Sequence, residues 1–254
     1  MSAEPRVVVH ADADQLVKAT AARLITALVD AASSREQVHL VLTGGGAGIG
    51  VLAAVAADPA RDAVAWDRVQ IWWGDERYLP EGDADRNATQ AWDALLTLVP
   101  VPAGNVHEMP ASDAGFGSDV EAAATSHAAD LATFAEPDDA SAPAAPVFDV
   151  LLLGVGPDGH IASLFPGHPM SRVQDRTVVG VRESPKPPPE RISMTVPVIQ
   201  NARQVWLVAA GAEKAAAVAR GVSGDADTPA AWGRGREVTL WLLDGSAASD
   251  LTER

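Results

Sequence analysis

The sequence predicts an α/β fold, a mostly parallel sheet flanked by helices. Three observations carry that expectation. Apolar runs such as Val-Leu-Leu-Leu at 150–153 read as strands buried on both faces, as in parallel sheets. Segments with apolar residues at helical spacing separate these runs. Glycine-rich stretches follow two of the runs directly, at 43–48 and 154–159, and in open α/β sheets ligands bind beyond the carboxyl ends of the strands.

Taken in order, residues 7–10 form a first strand. Over 14–33, Leu16, Val17, Leu24, Ile25, Leu28 and Val29 fall at helical spacing. Residues 38–42 are the next buried strand, and Thr43-Gly44-Gly45-Gly46-Ala47-Gly48 leads from it to a helix over about 49–57. Glycines in that place let backbone N–H groups approach a phosphate at the positive end of the helix; the alternative is a flexible turn. Residues 69–73 are a third strand, ending in Gly74-Asp75-Glu76-Arg77-Tyr78, which reads equally as site groups or as a solvated charged turn. Asn87 with Gln90 predicts a capping box and a helix to about 98, and Ser118 with Glu121 a second one to about 134. Residues 136–146, rich in Pro, Ala and Asp, predict a loop or linker.

Past the central run at 150–153, strands are expected at 177–181, 192–196, 204–209 and 238–243, the last closing the sheet, with a short helix near 197–201. Ser184-Pro185-Lys186-Pro187-Pro188-Pro189-Glu190-Arg191 is a stiff segment with two cations, either an exposed linker or a ligand lid. Gly211-Ala212-Glu213-Lys214 opens an alanine-rich helix to about 220. A cation in that first turn opposes the helix dipole, which suits a lysine retained for an anion as well as an ordinary exposed one. No second core is evident, so residues 1–254 are expected to form one domain.

Composition narrows the function. With 254 residues, 47% of them hydrophobic and 21% charged, the chain is globular and long enough for a large core. The absence of cysteine excludes disulfides, thiolate zinc sites and cysteine nucleophiles. A net charge of −15 argues against general nucleic-acid binding and against docking on an anionic membrane. An anionic substrate therefore needs a locally positive pocket. The six histidines form no H-E-x-x-H pattern, and neither a metal nor another cofactor is expected. The N-terminus lacks a signal peptide's basic start and long apolar segment, and no apolar run approaches the roughly 20 residues that span a bilayer. A cytoplasmic protein is expected.

The stretch that organises the chain is Phe-Asp-Val-Leu-Leu-Leu-Gly-Val-Gly-Pro-Asp-Gly-His-Ile-Ala-Ser-Leu-Phe-Pro-Gly at 148–167. Its glycines stop the strand and place Asp158 and His160 beyond it, a carboxylate and an imidazole two residues apart. Such a pair supplies a general base and its charged neighbour if the loop brings them together. Residues 154–159 also match G-x-G-x-x-G, with Asp175 at the spacing of a ribose-binding acid. Dinucleotide binding is disfavoured, because Asp158 would face a pyrophosphate and Pro166 interrupts the following helix. No G-x-S-x-G elbow surrounds Ser163, which argues against a serine acyl-enzyme.

The stretch Gly-Val-Gly-Pro-Asp-Gly-His-Ile-Ala-Ser-Leu-Phe-Pro-Gly closely resembles the signature of the 6-phosphogluconolactonase family. Trp-Gly-Asp-Glu-Arg-Tyr-Leu-Pro at 73–80 with Asp85-Arg86-Asn87, Ser184-Pro185-Lys186-Pro187-Pro188 with Arg191-Ile192-Ser193-Met194-Thr195, and Gly211 with Glu213-Lys214-Ala215 resemble its other motifs, in the same order and spacing. The resemblance implies the Rossmann-like sugar-phosphate isomerase fold shared with glucosamine-6-phosphate deaminase. It also implies hydrolysis of 6-phospho-D-glucono-1,5-lactone, the second step of the oxidative pentose phosphate pathway. Carried over by position, His160 is the catalytic base and Asp158 its neighbour. Thr43, Gly44, Gly45, Gly46, Arg191 and Lys214 fall at phosphate-binding positions, and Asp75, Arg77 and Lys186 at further substrate positions. Gly46 departs from the family, which often has a serine there. The rivals are an amino-sugar-phosphate isomerase or deaminase using Asp75 to move a proton, and a non-catalytic sugar-phosphate sensor. The expected partner is the small phospholactone alone, bound by a monomer or weak homo-oligomer.

Overall fold

The computed structural model describes residues 4–135 and 143–251, so most of the linker expected at 136–146 lies outside the described residues. In chain order they form β1 (Pro5–His10), α1 (Ala13–Ser34), β2 (Val38–Leu42), α2 (Gly45–Ala57), β3 (Val69–Trp73), β4 (Asp75–Arg77) and α3 (Asn87–Ala94). Then follow α4 (Val120–Ala132), β5 (Val150–Gly154), β6 (Val178–Val181), β7 (Arg191–Met194), α5 (Val196–Gln200), β8 (Gln204–Ala209), α6 (Ala215–Ser223) and β9 (Val238–Asp244). Six strands pair in the order β1-β9-β8-β5-β2-β3, every pair parallel. The mostly parallel α/β fold expected from the sequence is therefore present.

The apolar runs owe their lack of alternation to cover on both faces. Leu40, Leu42, Leu152 and Val208 face the layer of α1 and α2, meeting Leu24, Leu28, Val51 and Val55. Their neighbours Val41, Leu151, Leu153 and Leu207 face the opposite layer, meeting Val120 of α4, Met194 of β7 and Val218 of α6. At about 25 cal/mol per Å² of apolar surface removed from water, burial of this kind on two faces is the main stabilising term of the fold. β9 does not close an edge of the sheet as expected: it inserts between β1 and β8, leaving β1 outermost.

A second sheet, antiparallel in the order β4-β7-β6, lies outside that expectation. Its first strand is the three-residue Asp-Glu-Arg after β3, too short and too charged to carry a strand signal. Several local expectations also change. α2 starts at Gly45 rather than near 49, so the glycines form its first turn. A Cβ on Gly48 would stand 2.6 Å from the Thr43 carbonyl oxygen, which explains the small residue there. Arg86, not Asn87, is the N-cap of α3, and its side chain makes no capping bond. The cap comes from a distance: the Glu76 carboxylate accepts from the Asn87 N–H at 2.7 Å and the Ala88 N–H at 2.9 Å. Asp119 rather than Ser118 caps α4, accepting from the Ala122 N–H. Glu121 instead accepts from the Gly180 N–H of β6 at 3.0 Å. β7 stops at Met194, because the turn into α5 takes up the next residues. A 3-10 turn, Ala212–Lys214, precedes α6, so Lys214 is that helix's N-cap rather than part of its first α-helical turn.

Three histidines surround Trp72 on the α4 side of the sheet. The Trp72 Nε1–H donates to His39 Nδ1 at 3.2 Å, the indole stacks on His107 at 3.9 Å, and His127 meets it edge-on at 6.0 Å. Burial pushes the His39 pKa down to about 4 and that of His127 to about 3, and it lowers that of His107 as well. Depressed imidazole pKa values make the unfolded chain bind more protons than the folded one. Their contribution is complete above the unfolded value near 6.5 and is lost as pH falls toward the folded values. Glu76 acts in the opposite sense: burial pushes it up to about 7 despite Arg86 and its N–H donors, so acidification toward 4.5 favours the fold at that site. Among these groups the two imidazoles with the lowest values act together against one carboxyl, so their joint contribution falls as the pH drops. Replacing His127 with Leu should flatten the fall in unfolding free energy between pH 6 and 4 by about 1.4 kcal/mol per pH unit, read by urea titration at stepped pH. An unchanged slope would show that His127 already takes up its proton in the folded state.

Candidate active site

The carboxyl ends of β2, β3, β5 and β8 converge on one pocket of about 160 Å³. β2 leads to Thr43, Gly44 and Gly45; β3 leads through β4 to Asp75 and Arg77; β5 leads to the loop ending in His160. Lys186, Arg191 at the start of β7, and Lys214 after β8 complete the wall. Of the residues expected at the site, only Gly46 and Asp158 are absent from this lining. Asp158 reaches the site through its contacts with His160 and Lys186. Gly46 lies one residue deeper in α2, beyond the turn that faces the pocket.

The Asp158 to His160 loop is a tight turn closed on itself. The Gly156 N–H donates to the His160 carbonyl and the Gly159 N–H to the Gly156 carbonyl, both at 2.9 Å. Gly159 adopts φ +92°, a conformation that a residue with a Cβ rarely takes. This turn brings His160 Nδ1 to 2.6 Å from Asp158 Oδ1. Lys186 Nζ lies 3.2 Å from the same carboxylate oxygen and 3.4 Å from Nδ1. Burial alone would raise the Asp158 pKa, but the His160 hydrogen bond and charge, followed by Lys186, hold this carboxyl well below the usual range. An ionised Asp158 accepts only, so we assign the proton to His160 Nδ1, which leaves Nε2 as the basic nitrogen. The ring packs against Phe165 at 4.6 Å, which fixes its plane.

Opposite stands Asp75, a buried carboxylate. Ser163 Oγ donates to its Oδ2 at 2.6 Å, and Arg191 Nη1 lies 4.0 Å from the same oxygen. Ser163 is fully buried and its hydroxyl is committed to this bond. Arg191 turns its other nitrogens on the proline segment, donating to the carbonyls of Pro187 at 3.0 Å, Pro188 at 3.2 Å and Lys186 at 3.3 Å. The segment is therefore pinned beside the pocket and delivers Lys186 to Asp158. Burial lowers the pKa of Arg191 against the pull of Asp75, and lowers that of Lys214 against the pull of Glu213. Both are cations that gain by meeting an anion. Arg77 lines the pocket and donates through Nη1 to the Asp85 carbonyl.

The helix dipole of α2 and the free N–H groups of its glycine turn add positive potential at the pocket floor. Thr43 Oγ1 accepts from the Gly154 N–H at 3.1 Å, so this hydroxyl joins two site loops and keeps its own proton to donate. Two functional neighbours escaped the sequence reading. Asn87, assigned there as a cap, donates its amide to the Asp75 carbonyl at 2.8 Å and lines the pocket beside Gly44. Gly156 makes room for the pair: a Cβ there would lie 2.0 Å from His160 Nδ1 and 2.5 Å from Asp158 Oδ1. Their signal was present in the sequence only as membership of the two motifs.

The family model described as glucosamine-6-phosphate isomerases/6-phosphogluconolactonase matches residues 11–241. A 6-phosphogluconolactonase of Streptomyces coelicolor is 58% identical over 253 residues, which cover 99% of this chain and 96% of that protein. The solved structure of a 6-phosphogluconolactonase from Trypanosoma brucei superposes with a TM-score of 0.83 at 27% identity, covering 98% of this chain and 99% of the other. A monomeric glucosamine-6-phosphate deaminase shares the fold, with a TM-score of 0.76 at 19% identity over 96% of this chain and 99% of its own.

The close approach at Gly156 can be tested directly. Gly156→Ala should break the short contact between Asp158 and His160, so the strongly downfield Nδ1–H proton resonance expected of the wild type is lost. Retention of that resonance in the folded variant would mean that the turn accommodates a methyl group.

Proposed function

The chain belongs to the glucosamine-6-phosphate isomerase/6-phosphogluconolactonase family, and we propose that it hydrolyses 6-phospho-D-glucono-1,5-lactone to 6-phospho-D-gluconate. The observation that carries this reading is the 2.6 Å pairing of His160 with an ionised Asp158, in a pocket also lined by Arg77, Lys186, Arg191 and Lys214. The pair supplies a base, and the cations suit a phosphorylated substrate despite the net charge of −15. The identity of 58% to a lactonase supports the same assignment.

In the proposed reaction the phosphate sits at the N-terminus of α2, held by the turn from Thr43 to Gly45 together with Arg191 and Lys214. Binding energy from that remote end positions C1 beside His160. Nε2 takes a proton from water as the water oxygen bonds to C1, and the carbonyl electrons move onto the exocyclic oxygen. Lys186, beside the pair, offers the nearest positive charge to the developing oxyanion. Asp158 stabilises the imidazolium and preserves the tautomer. Collapse of the intermediate breaks the bond from C1 to the ring oxygen, which takes the proton from Nε2 as it leaves. The new carboxylic acid then ionises, and no cofactor enters the balance.

The deaminase alternative asks Asp75 to carry a proton between neighbouring carbons. Here its Oδ2 is bound by Ser163 and faced by Arg191, and the Asn87 amide stands 3.5 Å from Oδ1. That setting holds Asp75 as a fixed acceptor and favours the lactonase. Asp75 and Arg77 are assigned to substrate hydroxyl and phosphate contacts. We read the enzyme as cytoplasmic and as a monomer or weak homo-oligomer; among the described residues no helix is long and apolar enough to cross a membrane.

Lactone generated in place from glucose 6-phosphate and its dehydrogenase, with the spontaneous rate subtracted, provides the assay. His160→Ala should lower kcat roughly 10² to 10⁴-fold. Lys214→Ala should act mainly on KM, raising it about 10 to 100-fold for one lost charged contact. Full turnover in His160→Ala would discard the base, and ammonia release from glucosamine 6-phosphate by the wild type would favour the deaminase.

A further inference from the structure

Two consecutive carbonyls of the Asp158 to His160 turn are held from outside by a part of the chain that does not line the pocket. α6 ends at Ser223 and is capped by Gly224 in a left-handed conformation, and the chain doubles back to a 3-10 turn, Pro229–Trp232. From α6, Arg220 Nη2 donates to the Asp158 carbonyl at 3.2 Å. From the returning segment, the Ala230 N–H donates to the Gly159 carbonyl at 2.9 Å. Thr228 connects the two: its hydroxyl accepts from Arg220 Nε at 3.2 Å and donates to Asp225 Oδ2 at 2.9 Å. Its methyl group packs so closely on the turn that a Cβ at Gly159 would lie 2.7 Å from Thr228 Cγ2.

We propose that Arg220, steered by Thr228, is a positioning residue that sets the Asp158–His160 geometry through the backbone of the turn. This rests on the lactonase reading for its kinetic consequence, though not for its geometry. Gly159 is the one joint between the two side chains, and glycine leaves the peptide planes on either side free to rotate. Bonds within the turn fix the Gly156 and His160 carbonyls, whereas those of Asp158 and Gly159 depend on the outer segment. Rotation of the plane between Asp158 and Gly159 would swing the carboxylate relative to Nδ1. A hydrogen bond of 2.6 Å tolerates little of that movement. Arg220 is itself partly exposed, so its 3.9 Å approach to the Asp225 carboxylate adds little stability; the directional bond to the carbonyl is what acts on the site.

The test combines kinetics with the Nδ1–H proton resonance of His160. Arg220→Ala should lower kcat about tenfold while KM stays within about twofold, as for a misplaced base rather than lost binding. The resonance should shift or broaden, and Arg220→Lys should recover part of kcat. Thr228→Val keeps the shape and removes the steering hydroxyl; it should show the same changes in weaker form, and it decides the matter if Arg220→Ala does not fold. Arg172→Ala is the control, because Arg172 braces the outer side of the same segment through Trp232 at 5.8 Å and Asp227 at 3.1 Å without touching the turn. It should leave both readouts unchanged. An unchanged resonance in Arg220→Ala and Thr228→Val, or an equal change in Arg172→Ala, would overturn the proposal. If the wild type hydrolyses no lactone, the resonance still tests the positioning, so the two readings fail separately.

Discussion

A carboxylate that is half-buried beside an imidazole has to be kept ionised, and much of the site follows from that requirement. Asp158 stays charged because His160 and Lys186 both converge on one of its oxygens. Lys186 is available only because Arg191 binds three carbonyls of the proline segment. Arg191 in turn faces Asp75, whose carboxylate is held by Ser163 and whose backbone is held by Asn87. Asp75 and Arg191 are the buried links of this chain, so removing either charge would leave the other without its compensating partner.

The second sheet is what brings the two halves of this network face to face. β3 ends at the rim of the main sheet, and after Gly74 the three residues of β4 pair with β7. That pairing places Asp75 opposite Ser193 and Arg77 opposite Arg191, so one short ladder carries an acid and two of the pocket's cations. Two like charges opposite each other in a ladder oppose the pairing, and both side chains line the pocket, so an anion bound there would relieve the repulsion.

Small residues do the complementary work of leaving space. Gly156 admits the imidazole and the carboxylate, and Gly44 admits the Asn87 amide, where a Cβ would lie 1.9 Å from Oδ1. The glycine run that opens α2 lets the helix begin four residues earlier than its first large apolar residue suggests. The start of that helix, at Gly44 and Gly45, thus lies in the pocket wall.

Legibility divided along a physical line. The strands at 38–42, 69–73 and 204–209 matched to the residue, because two-sided burial writes itself into an apolar run. Asp158 and His160 were legible as a pair because they stand two residues apart in one turn, so their proximity is local. Caps were misread at Asn87 and Ser118 because the acceptors came from Glu76, eleven residues away, and from Asp119 next door. By itself the sequence determined the layered α/β class, the family and the pair at the end of the central strand, all of which rest on short-range pattern. Only the tertiary structure decided that β4 joins a second sheet, that Arg191 ties down the proline segment, and that Arg220 braces the turn. Those contacts join residues far apart in the chain, and their energies depend on burial and direction, which spacing along a sequence does not record.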